Sequence, residues 1–470
     1  MAGRMEFEFQ FRGAKRAPSF GAGEAKMRLL LMGDFGGRGA RGASEPTPDL
    51  ARRPLLRIDL DSLDQVLAKL APRLVLAPAV DDRPPDALAF ASLDDFHPDR
   101  LCQRLEVFAG FRALRARLLD PGTFAATAAA LEPAPPAVAA PAPSAAPDTL
   151  ERLLGGRPAQ AEGGDLSNFL RQVVAPHITP APDARQPRLV AAVDEAAAQH
   201  LRGLLHAPAF QRLEAAWRAI HRLVSSVEEE TSIFLLDVSR PELLADLAAN
   251  PDGSGLHRRL ADQDAPFSLI VLDETFGAAV EDVALLSALG AVAAQVGTPL
   301  LAAADPRLDW SALDGEAATR WQALRQSPQA SALGLALPRF LLRLPYGPKT
   351  DPIESFAFDE LPAREHERYL WGNPAFACAL LAAAAFREKG AEMQLGDVLE
   401  LDDLPAHTYR EEGEAHLQPC AEVFMPERVS TALLGRGLMP LISARDRNSA
   451  RLARFQSIAD PAAALIGPWG

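Results

Sequence analysis

Residues 267–304 read FSLIVLDETFGAAVEDVALLSALGAVAAQVGTPLLAAA. This segment starts with a near-continuous apolar run, Phe267 to Asp273, and continues through an Ala-rich helical pattern at Glu281 to Val296. It ends with a second apolar run, Thr298 to Ala304. Strands that are apolar on both faces and separated by helices are typical of a parallel sheet covered on both sides. The segment therefore predicts a strand-helix-strand unit inside an α/β domain.

The same alternation extends to both sides of this unit. Upstream, a helix is predicted at about Phe210 to Val224, then a strand at Ile233 to Val238 and a short helix opened by Pro241. Downstream, a buried helix is predicted at Asn373 to Phe386 and strands are predicted in LGLALPRFLLRL, AEVFM (Ala421 to Met425) and LMPLIS (Leu438 to Ser443). The fold class is therefore α/β, with a mainly parallel sheet in this larger unit.

The first 131 residues predict a smaller, mixed α/β unit. A strand at Met27 to Met32 ends in the Gly-rich turn GDFGGRGARG, and a helix follows at Ser62 to Leu70, with Ser62 and Gln65 as a capping-box pair. Two further strands are predicted at Arg73 to Ala77 and Leu88 to Leu93. Pro98 opens the last helix, whose predicted buried stripe contains Leu101, Leu105, Phe108 and Leu118.

A sharp change of composition separates the two units. The segment LEPAPPAVAAPAPSAAP, Leu131 to Pro147, alternates Ala with Pro, cannot bury a core and favours an extended spacer. The predicted organisation is a small α/β unit at 1–131, an Ala/Pro linker at 132–147, a connecting helical segment at 148–188 and a larger α/β unit at 189–470.

Composition limits the classes of function. The 470 residues contain 48 Lys and Arg against 62 Asp and Glu, a formal charge of −14, which disfavours nucleic-acid binding. Three scattered cysteines, Cys102, Cys378 and Cys420, are too few for a disulfide framework or a zinc site. The first residues carry no apolar signal region, and the apolar runs are far shorter than the ~20 residues of a membrane helix. We therefore expect a cytoplasmic protein with no membrane insertion.

The Gly-rich turn was the first candidate for chemistry, because backbone N–H groups after a strand can cradle phosphate. A P-loop needs Lys and Ser or Thr closing the loop into a helix, whereas this loop runs on into EPTPDLARRP. The G-x-G-x-x-G fingerprint is also absent, and Asp34-Phe35-Gly36 lacks the catalytic loop that accompanies it in kinases. The favoured interpretation is a plain tight turn.

The other candidate clusters predict no site. His200 and His206 lie on different faces of a helix, and His416 and Cys420 are separated by Gln418-Pro419. The remaining clusters are interpreted as loops or solvated faces: Gly253-Ser254-Gly255, Glu228-Glu229-Glu230 and Asp402-Asp403. We therefore predict no catalytic, cofactor-binding or metal-binding residue, no cofactor and no enzymatic activity.

Two loops have unusual compositions. Residues Leu344 to Phe358 contain three prolines, aromatic residues and mixed charges, and Tyr369 to Leu381 places Trp371 before a Gly-Asn-Pro turn. Two interpretations remain open: a well-packed loop over the sheet edge, or a subunit contact with aromatic anchors.

Four segments show a specific resemblance. Together they closely resemble the large subunit of the type VI secretion contractile sheath over about 165–458. They are AFQRLEAAWRAIHRLV (Ala209 to Val224), PRFLLRLPYGPKTDPIESFAFDE (Pro338 to Glu360), YLWGNPAFACALL (Tyr369 to Leu381) and PCAEVFMPER (Pro419 to Arg428).

The first unit, about 5–131, resembles the small sheath subunit of the same system. The segments that carry this resemblance are LLLMGDFGGR (Leu29 to Arg38), IDLDSLDQVLAKLAPRL (Ile58 to Leu74) and SLDDFHPDRLCQRLE (Ser92 to Glu106). The chain thus looks like a fusion of small and large sheath subunits across the linker.

The resemblance implies a structural function. Sheath subunits of this family form intertwined heterodimers, which stack into a tube around an inner tube protein and contract to propel it. The implied partners are copies of this chain or separate sheath subunits, the inner tube protein, baseplate components and an AAA+ unfoldase that recycles the contracted form. Open sheet edges can add strands from neighbours, and fusion fixes the two halves at a one-to-one ratio.

Two departures from the family pattern keep alternatives open. The N-terminal MEFEFQFRGAK is shorter than the usual lead-in helix, and beyond Arg451 to Pro461 we expect the resemblance to lack the large subunit's C-terminal region. The first alternative is therefore a non-propagating sheath-like cap, baseplate or assembly accessory. The second is a nucleotide-dependent α/β enzyme that uses the Gly-rich turn.

Overall fold

A computed structural model of the chain describes residues 26–75, 87–131, 183–248, 251–363, 365–411, 413–444 and 447–469. The Ala/Pro linker at 132–147 and most of the connecting segment at 148–188 lie outside the described residues. The division of the chain at the linker therefore stays a prediction. The described part of the connecting segment belongs to a helix that begins at Gln186 and continues to Leu205, beyond the predicted boundary at 188.

The described residues contain fifteen strands. In chain order they are β1 (Met27–Gly33), β2 (Leu56–Ile58), β3 (Arg73–Val75), β4 (Ala87–Ala89), β5 (Thr231–Asp237), β6 (Leu269–Phe276), β7 (Leu300–Ala304), β8 (Leu333–Leu337), β9 (Phe340–Leu341), β10 (Trp371–Gly372), β11 (Glu400–Leu401), β12 (Thr408–Glu411), β13 (Glu414–Leu417), β14 (Leu438–Ser443) and β15 (Ala450–Leu452).

The same residues contain twelve α-helices. They are α1 (Leu63–Leu70), α2 (Pro98–Arg104), α3 (Glu106–Leu119), α4 (Pro121–Leu131), α5 (Gln186–Leu205), α6 (Pro208–Ser226), α7 (Arg240–Leu247), α8 (Gly255–Ala261), α9 (Val280–Val296), α10 (Gly315–Arg325), α11 (Pro374–Lys389) and α12 (Glu427–Gly435).

Nine strands form one large sheet in the order β11-β15-β14-β8-β7-β6-β1-β5-β2. The six strands from β14 to β5 run parallel, while β2 at one edge and β15 and β11 at the other pair antiparallel. Every residue of β7 and β8 is buried, as expected for parallel strands covered on both faces. The predicted α/β class with a mainly parallel sheet is confirmed.

The N-terminal strand β1 is a central strand of this sheet. Its seven residues pair in parallel with Thr231–Asp237 of β5, and Leu29 to Met32 pair with Leu269 to Leu272 of β6 on the other side. The residues Leu29 to Met32 are 0% exposed, so the apolar run is buried by both neighbours. The N-terminal segment therefore completes the large sheet, and only the β3–β4 hairpin pairs separately among its described strands.

By contacts, the chain groups into two compact units. One contains the residues up to Leu101 together with those from Arg202 onward, and it holds the large sheet. The other is Cys102 to Leu201; its described residues are mainly helical, and they form a core that contains Leu118, Phe124, Ala128, Leu189 and Val193.

The predicted helix at Pro98 is confirmed, with Leu101, Leu105, Phe108 and Leu118 buried. It consists of two helices, because Leu105 adopts an extended conformation between α2 and α3.

Two local predictions were wrong. The segment Ala421 to Met425 is not a strand: Ala421 makes a single bridge to Phe340, and prolines on either side of the segment cannot donate ladder hydrogen bonds. The Ser62 capping box is also absent, because the Ser62 hydroxyl donates to the Asp59 carboxylate at 2.6 Å and accepts its backbone N–H.

A helix that spans a bilayer must be both long enough and apolar enough to cross its hydrocarbon core. None of the helices in the described ranges meets both requirements.

Candidate functional site

The Gly-rich turn after β1 is closed by carboxylates. The Asp34 carboxylate accepts the backbone N–H groups of Arg38 and Gly39 at 2.7 and 2.8 Å, and Asp237 at the end of β5 accepts that of Gly36 at 2.9 Å. The amides that would cradle a phosphate thus already donate to negatively charged groups, which repel anions. This geometry supports the tight-turn interpretation.

Two arginines fasten the turn and the following loop to the start of α7. Arg38 contacts the carboxylates of Asp237 and Glu242, the latter at 2.9 Å, and Arg53 contacts Glu242 at 2.7 Å. The Glu242 side chain is 0% exposed and also accepts the N–H groups of Ser239 and Glu45. Burial alone would raise the pKa of Glu242, but the hydrogen bonds from Arg38 and Arg53 outweigh it and lower the pKa to about 2.

Aromatic side chains form a second set of contacts between the N-terminal segment and the rest of the chain. Phe90 and Phe96 stack with ring centroids 4.1 Å apart, and both meet the Phe210 ring of α6 edge-on at 6.1 and 5.8 Å. Trp217, two turns further along α6, donates its indole N–H to the Phe35 carbonyl at 3.1 Å. All five rings are buried, and aromatic pairs of this geometry contribute roughly 0.5–1.5 kcal/mol each beyond their buried area.

The loop between Leu344 and Phe358 is anchored by a buried charged cluster. The Arg343 guanidinium, 8% exposed, contacts Glu214 of α6 at 2.8 Å and Glu360 at 2.7 Å. Glu360 also accepts the N–H of Tyr346 at 2.8 Å, and Arg343 lies over the Tyr346 ring at 4.3 Å. Burial opposes ionisation of Glu360, but Arg343 lowers its pKa to about 2. The loop ends are thereby tied to the helix beneath them.

The N-terminal segment reaches the same loop at a further point. The Asp99 carboxylate accepts the backbone N–H groups of Glu354 and Ser355, both at 3.0 Å, and the Ser355 hydroxyl at 2.7 Å. The His97 ring meets the Tyr346 ring edge-on with centroids 5.1 Å apart. We refer to the contacts of the Gly-rich turn, the Phe90–Phe96 pair and the His97–Asp99 segment with residues 202–470 as the junction.

The second unusual loop is packed in the interior. Trp371 is 5% exposed, and the Tyr369 hydroxyl lies 2.6 Å from His407 Nδ1. The Asn373 side chain accepts the N–H of Ala375 and caps the buried helix α11. For Tyr346 and Trp371 the packed-loop interpretation is therefore supported, because their rings are not available at the surface.

The other candidates from the sequence have local partners. His416 stacks on Tyr409, and Ser254 caps α8 by accepting the N–H of His257 at 3.0 Å. Burial raises the pKa of Cys378 to about 12 and that of Cys420 to about 11, so both are protonated at neutral pH. Within the described ranges, no three His, Cys, Asp or Glu side chains are grouped so as to hold a metal ion.

A cleft of about 570 Å³ lies between α6, α11 and residues 398–403. Its charged lining is mixed, with Arg222 and Arg387 facing Glu388, Asp402 and Asp403. Arg222 donates to the backbone carbonyls of Asp402 and Asp403, both at 3.1 Å. Arg387 donates to the Ser226 carbonyl at 3.2 Å, so both arginines have backbone acceptors.

Comparison with known families identifies the two segments of the chain that meet at the junction. Residues 187–459 match the family described as "EvpB/VC_A0108, tail sheath N-terminal domain", which is more than half of the chain. Residues 21–132 match the family described as "Type VI secretion system, VipA, VC_A0107 or Hcp2". The chain belongs to the type VI secretion sheath family. The resemblance to a fusion of the small and the large sheath subunit is confirmed.

A relative supports this membership. The sheath chain is 30% identical over 305 residues to "Type VI secretion system sheath protein TssC1" of Pseudomonas aeruginosa PAO1, covering 58% of this chain and 61% of the relative. The chain thus spans about three fifths of the length of this relative. The matching ranges place β1 and β2 in the small-subunit-like segment and β5 to β15 in the large-subunit-like one.

The charged residues of the junction are only partly visible in the sequence. The pattern Ser239-Arg-Pro-Glu242 is a capping-box signal, and the structure confirms this box at the start of α7. That signal identifies Glu242 as a polar residue at a helix start. It cannot identify Arg38 and Arg53, which lie 204 and 189 residues away in the chain.

Proposed function

We propose that this chain is a structural protomer of a type VI contractile sheath that assembles around an inner tube and contracts to propel it. The observation that supports the proposal is the position of β1, which the small-subunit-like segment inserts between two strands of the large-subunit-like sheet. A protomer that transmits force needs its two segments joined by many hydrogen bonds and ion pairs that bear the load together. A central strand with two parallel ladders and a buried charged junction supplies them.

The proposed partners follow from the family and act in the cytoplasm. They are further copies of this chain or separate sheath subunits, the inner tube protein, baseplate components and an AAA+ unfoldase that recycles the contracted sheath. The −14 charge suits a partner with a basic face. We propose no cofactor and no catalytic step, because the amides of the Gly-rich turn donate to Asp34 and Asp237, and Arg222 of the cleft donates to a backbone carbonyl.

The test is electron microscopy of the purified full chain, alone and after co-expression with its inner tube protein. We expect tubes with a constant diameter, and longer ones when the inner tube is present. Arg38→Glu places a negative charge against Asp237 and Glu242, so this variant should form no tubes, whereas Arg410→Glu, on the exposed β12–β13 hairpin, serves as the charge-matched control.

Single particles from the wild-type chain would contradict the proposal, and closed rings would favour the cap or baseplate accessory instead. The enzyme alternative is tested by thermal unfolding with ATP, GTP or NAD. A rise of several degrees in Tm with one of these nucleotides would support that alternative, because a ligand that binds only the folded state stabilises it.

A further inference from the structure

Residues 346–360, here called the strap, form a loop with its two ends bonded together. The Glu360 N–H donates to the Tyr346 carbonyl at 2.8 Å, and both residues belong to the buried cluster around Arg343. The ends of such a loop stay in place even when its middle residues change conformation. The buried fractions agree with this picture, since Tyr346 and Glu360 are 1% and 2% exposed.

The two halves of the strap are stabilised differently. The first half closes on itself, because the Gly347 N–H donates to the Asp351 carbonyl at 2.9 Å and the Thr350 N–H donates back to Gly347 at 3.1 Å. In the second half, the described hydrogen bonds of Glu354 and Ser355 all go to Asp99. One carboxylate of the small-subunit-like segment thus accepts two consecutive backbone amides and a hydroxyl of the large-subunit-like segment.

Asp99 is well placed to control this half of the strap. Its side chain is only 16% exposed, it sits in the first turn of α2, and it is two residues from His97, whose ring packs on Tyr346 at the fixed end. Hydrogen bonds to an ionised acceptor are about twice as strong as neutral ones. Without Asp99, the exposed amide of Glu354 and the partly buried amide of Ser355 would lose their acceptor together, and these two residues would open to water.

We propose that the strap senses docking: its second half is ordered at Glu354 and Ser355 only while the His97–Asp99 segment is seated against it. Order in the strap then reports that the two halves of the protomer are joined. The exposed part of its second half, which includes Glu354, adopts a defined surface only in joined protomers. The use of that surface in assembly rests on the proposed function, whereas the dependence of the strap on Asp99 does not.

The test is hydrogen exchange of residues 347–358 in the full chain, together with cleavage after Glu354 by a glutamate-specific protease. For Asp99→Ala we expect exchange at Glu354 and Ser355 to accelerate about tenfold or more, and cleavage after Glu354 to accelerate with it. Ser355→Ala removes only the hydroxyl bond, so its effect should be smaller. Asp94→Ala changes an exposed aspartate of the same segment and serves as the control.

Unchanged exchange and cleavage in Asp99→Ala would overturn the proposal. If that variant fails to fold, Asp99→Asn decides, because it keeps one acceptor oxygen but loses the charge. An exchange rate in Asp99→Asn that is faster than in the wild type but slower than in an unstructured loop supports the proposal. An exchange rate equal to that of the wild type refutes it. If wild-type tubes are absent while Asp99 still controls the strap, only the proposed function fails.

Discussion

Glu242 illustrates how a single residue joins distant parts of the chain. Its fully buried carboxylate accepts hydrogen bonds from Arg38, Arg53, Ser239 and Glu45. A buried carboxylate is costly unless it is paired and fully hydrogen-bonded, and here it is both. Such a residue contributes to specificity, because a misplaced N-terminal segment would leave it unpaired.

Glu242→Gln should therefore destabilise the protein strongly. The neutral amide leaves two guanidinium groups without their shared counter-charge, and breaking a buried pair in this way costs about 3–5 kcal/mol. Urea unfolding followed by circular dichroism measures the loss. Glu388→Gln, an exposed glutamate of α11, is the control and should change the unfolding free energy by less than about 0.5 kcal/mol. A wild-type midpoint for Glu242→Gln would contradict the role of the junction.

The depressed carboxyl pKa values predict acid sensitivity. Glu242 and Glu360 both have a pKa near 2 in the folded state, below the unfolded value of 4.5. Their stabilisation is thus fully present above about pH 5 and is lost as the pH falls toward 2, at about 3 kcal/mol for each group. Burial raises the pKa of Asp273 to about 6. Protonation of this group therefore increases the stability of the fold as the pH falls from about 6 to 4, which is opposite to the effect of Glu242 and Glu360.

This acid sensitivity is measured as the difference in unfolding free energy between the wild type and a variant. The contributions of the other titrating groups cancel in that difference. Glu360→Gln should be less stable than the wild type at pH 7, and the gap should shrink as the pH is lowered from 5 to 3. Unfolding free energies at pH 7, 5 and 3.5 test this. A gap that stays constant with pH would show that Glu360 is not ionised in the folded protein.

Two glycines of the N-terminal loop allow a matched test of close packing. Gly37 and Gly42 both have left-handed φ values, +68° and +65°, but a Cβ on Gly37 would lie 2.9 Å from the Arg73 carbonyl oxygen, while Gly42 faces open space. Gly42→Ala should cost only the backbone strain, about 1–2 kcal/mol. Gly37→Ala should cost measurably more in thermal unfolding, and equal losses would refute the close approach.

At the scale of elements, β1 carries the largest share of the contact between the two sheath-like segments. Leu31 is 0% exposed and pairs with Leu235 on one side and Val271 on the other. Leu31→Ala should lower the unfolding free energy by about 2–5 kcal/mol, because the parallel ladders prevent the cavity from collapsing. Thr408→Ala, at an exposed position of β12, should stay within about 0.5 kcal/mol of the wild type. Equal effects would contradict a central position of β1.

At the scale of the whole molecule, the shared sheet predicts that the covalent linker is dispensable after folding. A specific protease site placed at 138–144, within the Ala/Pro segment, would allow the folded chain to be cut. We expect the two fragments to co-elute in size-exclusion chromatography, because separation would expose β1 and the junction. Fragments that separate without denaturant would contradict the shared sheet. Cutting before refolding should reduce the yield, because the linker supplies effective concentration.

Much of the architecture was predictable from local pattern. The apolar runs at Met27–Gly33 and Leu438–Ser443 are strands, and the buried stripe from Phe210 to Val224 is a helix, as predicted. The strand prediction at Ala421 to Met425 was wrong, because an apolar run between prolines has the composition of a strand without the donors for a ladder.

The sequence by itself determined where most strands and helices form and which family the two halves resemble. These properties depend on residue type and on neighbours a few positions apart. Only the tertiary structure decided that β1 lies between β5 and β6 and that Gly36 meets Asp237, 201 residues further on. Pairing over such distances depends on shape and on charges that face each other only once the chain has folded.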